Sequence, residues 1–108
     1  MTDMDAKTLE ALKASIAKWE KNARVRKAEN AKLTVIDCPL CDLFHKLGCE
    51  GCPVAERTGE ISCWDTPYEH AYHERGEWLE DASRGPLFRA AAREEVAFLK
   101  SLLPEAEQ

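Results

Sequence analysis

The sequence predicts a mainly α protein: two long amphipathic terminal helices packed antiparallel, a middle helix, and a turn-rich cysteine-knuckle insert that binds zinc. Three observations predict it. Apolar residues recur at spacings of three and four near both ends of the chain. A strong helix start lies at Thr66, and residues 38–67 hold all five cysteines and three of the five prolines.

The chain has 108 residues, 44% of them hydrophobic and 32% charged, which suits one globular domain and argues against general disorder. A domain this small buries only about two-thirds of the surface its unfolded chain exposes, so a staple helps it. The expected division is an N-terminal helix over 1–32, a cysteine-rich segment over 33–65, a middle helix over 66–83 and a C-terminal helix over 86–104.

The first helix is expected from Asp5 to about Glu29, with Leu9, Leu12, Ile16, Trp19 and Ala23 in one stripe. Its polar faces carry Lys7, Lys13, Lys18, Lys21, Arg24 and Lys27. A solvated face with cations near the helix C-terminus is the favoured reading, and a surface for nucleic acid or an acidic partner is the alternative. Leu33, Val35 and Ile36 then allow at most one short extended segment. Beyond them Gly48, Gly51 and Gly59 predict turns, with one short helical piece around Leu43 to Leu47.

Thr66-Pro67-Tyr68-Glu69 offers a capping hydroxyl, a proline at the first helical position and a glutamate at the third, so a helix starts there. Tyr68, Ala71, Tyr72, Trp78 and Leu79 give it an aromatic-rich face, weakened by Gly76. Arg84-Gly85-Pro86 breaks the run. From Pro86 to about Leu103 a last stripe holds Phe88, Ala92, Val96, Leu99 and Leu103, and Pro104 ends it.

The chemistry lies in the cysteines. Cys38/Cys41 and Cys49/Cys52 are two Cys-x-x-Cys pairs separated by seven residues, and ten more precede Cys63. Two residues between ligands allow a tight turn at each pair, and two such turns complete a tetrahedral thiolate shell. Pro39 stiffens the first turn and Gly51 frees the second. Cys63 precedes the Thr66 cap, where the positive end of a helix stabilises a thiolate, so it can replace one of the other four. His45 is a further candidate ligand.

Structural zinc is favoured on ligand type and spacing. Disulfides, an iron–sulfur cluster suggested by Cys52-Pro53, and a thiol–disulfide site follow in that order. His70 and His73 lie three apart among Glu69, Glu74 and Glu77 and read as a surface pair, because no third ligand is fixed by spacing. Trp19, Trp64 and Trp78 read as packing rather than base-stacking platforms. No Ser/His/Asp set, phosphate-cradling glycine loop or HExxH occurs, which favours a non-enzymatic role.

Net charge is −5, unevenly spread: residues 1–36 carry eight basic and five acidic side chains, residues 37–108 seven and fifteen. A basic helix could touch nucleic acid, but the molecule as a whole repels phosphate. No apolar run is long enough to span a bilayer, and the start MTDMDAKTLEALK lacks the pattern of a signal peptide, so the cytoplasm is the expected location.

CPLC (38–41), CEGCPV (49–54), Thr58-Gly59 and Cys63-Trp64-Asp65-Thr66-Pro67-Tyr68, preceded by Lys18-Trp19-Glu20-Lys21-Asn22, form a specific pattern over most of the chain. It resembles a group of small uncharacterised phage, prophage and bacterial proteins. The resemblance implies a phage or mobile-element origin and a role for the cysteines as a set, Cys63 included. His45 has no counterpart in it. The combined expectation is a zinc-stabilised helical protein, monomer or homodimer, that binds a host or phage protein, with nucleic-acid binding and thiol chemistry as alternatives.

Overall fold

The computed structural model describes residues 6–33, 52–58 and 66–104. They are mainly helical, and no strand occurs among them. Cys38, Cys41, His45, Cys49 and Cys63, the extended run beyond Leu33 and the helical piece expected at 43–47 lie outside the described residues.

Helix α1 runs Ala6–Asn22. Leu12, Ile16 and Trp19 are buried as expected, but so are Thr8, Ser15 and Asn22, three polar residues seven apart. Leu9 and Ala23, assigned to the apolar stripe, are only half-buried. The buried face is therefore turned toward the polar side of the expected one.

This helix ends at Asn22, short of the Glu29 that spacing predicted. The reason is the Asn22 side chain, which is fully buried and pairs with the backbone of Lys32. The Lys32 N–H donates to Asn22 Oδ1 at 2.9 Å, and Asn22 Nδ2 donates to the Lys32 carbonyl at 3.0 Å. One amide thus satisfies a donor and an acceptor ten residues away, which a helix continuing to Glu29 would carry out of reach. The chain turns at Ala23 and Arg24, forms a 3₁₀ turn over Ala28–Asn30, and buries Ala28, Ala31 and Leu33.

Three more side chains hold this returning segment. Arg89 Nη1 donates to the Val25 carbonyl at 3.2 Å, Arg75 Nε to that of Ala28 at 3.2 Å, and the Tyr68 hydroxyl to that of Leu33 at 2.6 Å. Segment 23–33 is therefore neither helix nor loose loop.

The short helix α2, Pro53–Thr58, was not anticipated. Proline at its first position has no N–H to leave unsatisfied, and Cys52 and Val54 are buried in the main apolar core. Arg57 Nη2 donates to the Ser101 carbonyl at 3.0 Å, setting a cation at the negative end of the C-terminal helix.

Helix α3, Pro67–Glu80, begins as predicted: Thr66 is its N-cap, and Thr66 Oγ1 accepts from the Tyr68 N–H at 3.2 Å. It stops three residues before the expected end. Asp81 caps a following 3₁₀ turn, Ala82–Arg84, accepting from the Ser83 N–H at 3.0 Å. Ala71 and Trp78 point into the core, whereas Tyr72 and Leu79, placed on the aromatic face by spacing, are more than half exposed.

Helix α4 runs Gly85–Ser101 and packs against both α3 and α1. Phe88, Ala91, Ala92 and Leu99 are buried, and Phe88 stacks on Trp78 with ring centroids 5.6 Å apart. Gly85 allows the close turn between α3 and α4, because a Cβ there would lie 2.9 Å from Trp78 Cε2. The missing side chain at Gly85 lets the backbone come close to the Trp78 indole. No helix among the described residues is long and apolar enough to cross a membrane.

Candidate functional site

The cysteine-bearing stretch, residues 38–63, leaves the described helices after Leu33, touches them at Cys52–Thr58 and rejoins them at Thr66. The fold holds all three places. Leu33 is buried and its carbonyl accepts the Tyr68 hydroxyl, so the exit is bonded to the helix that follows the return. Thr66 is buried and caps that helix. Trp19, only 3% exposed, meets the Tyr68 ring edge-on at 6.0 Å, which ties the same point to α1.

The middle contact is Cys52 with Val54, both in the core cluster, and Arg57 on Ser101. Of the five candidate ligands, Cys52 is the one within the described residues, with a buried side chain at the start of α2. Cys38, Cys41, Cys49 and Cys63 are not placed, so the ligand set rests on sequence spacing. Among the described residues no group of three or more His, Cys, Asp or Glu side chains could hold a metal ion.

The structure does bring together a polar chain that periodicity did not reveal, on the α3–α4 face. Arg84 Nη2 donates to Glu74 Oε1 at 3.0 Å, His70 Nε2 lies 3.5 Å from Glu74 Oε2, and His70 Nδ1 lies 3.1 Å from Glu94 Oε2. Glu74 is buried, and the Arg84 hydrogen bond holds its carboxyl below the usual carboxylate range against the opposing effect of burial. The Arg84 charge and His70 add to the lowering. His70 thus links α3 to α4, whereas His73 stays on its own helix, 3.7 Å from Glu77.

With a carboxylate beside each ring nitrogen, the half-exposed His70 forms an interhelical tie.

No protein-family model, curated protein or solved structure matches the chain. Its functional reading rests on its own residues.

Sequence reasoning missed four residues that shape this base: Asn22, Arg75, Arg89 and the Tyr68 hydroxyl. Asn22 and Tyr68 belong to the motif carrying the resemblance, Asn22 closing Lys18–Asn22 and Tyr68 ending Cys63–Tyr68. Their place in that motif was the available signal. Spacing alone gives a buried amide no mark.

Proposed function

We propose that this chain is a helical scaffold for a zinc-stapled cysteine segment and that it acts by binding another macromolecule, a host or phage protein. The observation that carries the reading is the anchoring of the segment at Leu33, Cys52–Val54 and Thr66–Tyr68. A stretch fixed at both ends and in the middle has its long connections shortened, which lowers the entropy cost of closing a metal site. Pinning alone does not supply the driving force. Two Cys-x-x-Cys pairs and Cys63 supply it in this reading, because ligand binding to zinc provides folding free energy directly.

The antiparallel pairing of the terminal helices belongs to the same reading. Glu20 meets Lys100 at 3.7 Å, and Arg89, earlier in α4, reaches the Val25 carbonyl just past the end of α1 at 3.2 Å, which supports that sense. A cytoplasmic setting, in which thiols stay reduced, and a phage or mobile-element origin complete it.

The test is metal content and thiol titre of protein prepared under reducing conditions, followed by melting with and without a chelator. One zinc per chain and a chelator-lowered Tm are expected. Unchanged circular dichroism and melting after chelation, or iron with sulfide, would sink the zinc reading.

A further inference from the structure

Part of the basic surface assigned by sequence to the face of a long helix, Arg24 and Lys27, sits beyond the end of α1. Because α1 ends at Asn22, the cations beyond it lie on the turn that Asn22, Arg75, Arg89 and Tyr68 clamp. Lys21, Arg24, Arg26, Lys27 and Lys32 are all exposed, and none is in an ion pair with another described residue. The Asn22–Lys32 pairing brings the Lys32 backbone back beside the end of α1. Several cations elsewhere are engaged, Arg84 with Glu74, Lys100 with Glu20, and Arg57, Arg75 and Arg89 with backbone carbonyls, while Lys7 and Arg93 are exposed singly rather than in a cluster.

We propose that the clamped turn from Lys21 to Lys32 is a docking surface for a carboxylate-rich segment of a partner protein. This rests on the reading that the chain acts by binding a protein, and it names where and by what chemistry. Rigid presentation favours it, since the clamp already fixes the backbone of the turn and leaves only side-chain freedom to be lost on binding. Two guanidinium groups, Arg24 and Arg26, suit bidentate capture of carboxylates.

Phosphate is the competing anion, and two observations weigh against it. Trp19 is 3% exposed and residues 6–33 contain no other aromatic, so no base-stacking platform stands in this segment. Residues 37–108 carry eight more acidic than basic side chains, which disfavours an extended polyanion reaching past the turn. A short acidic segment is affected less, because charges beyond about 8–10 Å are largely screened at physiological salt.

The experiment is fluorescence anisotropy with the full chain and two labelled probes: a peptide of about twelve residues alternating glutamate and serine, and a single-stranded DNA of about twenty nucleotides. Binding is measured at about 50 mM and about 300 mM NaCl, where screening differs strongly. The peptide is expected to bind more tightly than the DNA and to weaken with salt. Lys27→Glu should lower its affinity on the order of fivefold, whereas Lys7→Glu, near the other end of α1, should leave it unchanged.

Lys27 is exposed, so circular dichroism and Tm of the variant should match the parent. Tighter DNA binding, no peptide binding at low salt, or equal losses in the two variants would each overturn the proposal. The failures are separable: loss of this surface leaves metal content untouched, and an absent metal leaves the salt-dependent peptide binding to be measured on its own.

Discussion

Two regions that α4 touches, helix α3 and the returning segment 23–33, are held in different ways. Against α3, helix α4 is joined by apolar contact, Trp78 on Phe88, with Gly85 giving the indole room. At the returning segment 23–33, Arg89 reaches the Val25 carbonyl, and Asn22, Arg75 and Tyr68 hold the rest through side chains bonded to backbone, whereas α1 itself buries Leu12, Ile16 and Trp19 in the same core as Phe88. The first kind of interface draws its stability from area and close packing, which is forgiving of direction. The second draws it from paired polar groups, where losing one partner strands another. The aromatic side should accordingly tolerate shape-conserving changes, and the polar clamp should not.

Truncation at the aromatic side has the largest expected effect. Phe88 is fully buried, and Phe88→Ala should cost about 3–5 kcal/mol, read as a lowered urea midpoint. Phe88→Leu should recover most of that loss, since it keeps apolar contact with Trp78. Equal losses for alanine and leucine would show that ring stacking itself, rather than burial, holds the two helices.

Asn22→Ala comes next, at about 2–3 kcal/mol, because it leaves the Lys32 N–H and carbonyl without their partner. Here the conservative change should fail as badly as the drastic one: Asn22→Asp keeps an acceptor for the Lys32 N–H but sets a carboxylate against its carbonyl. Hydrogen exchange sharpens the point. The Lys32 amide should lose protection in Asn22→Ala while amides of α3 keep theirs, and protection retained at Lys32 in that variant would break the contrast between the two regions.

That contrast also explains what the sequence made legible. Phe88, Ala92, Leu99 and the Thr66 cap were read correctly because apolar period and capping chemistry are local signals. The end of α1 was misread because residues 23–29 continue a plausible helical pattern, and what stops them is a bond from Asn22 to a residue ten positions on. Tyr72 and Leu79 were misplaced for a related reason: they share a helical face with one another, but α4 packs on the neighbouring face that presents Ala71, Glu74 and Trp78. In the candidate site, spacing marked the thiols and the Thr66 start. It could not mark the Tyr68–Leu33 bond, which exists only once α3 lies beside the exit of the cysteine-bearing stretch.

The smallest effect concerns the exception, a polar tie inside the mainly apolar α3–α4 pairing. Glu74 is buried against Arg84, and its carboxyl titrates below the value of 4.5 expected for an unperturbed glutamate, chiefly through the Arg84 hydrogen bond. A carboxyl whose pKa falls on folding adds stability at pH above its unfolded value and loses it as pH drops through its folded value. Above about pH 5 the parent should therefore melt higher than Glu74→Gln, and the gap should close under acid as Glu74 takes up a proton. His70 lies 3.5 Å from the same carboxylate and Glu94 beyond it, so a His70→Ala background isolates the Arg84 contribution. A gap that stayed constant from neutral to acid pH would mean that Glu74 acts through shape and neutral hydrogen bonding, and the tie would then differ little from the Asn22 clamp.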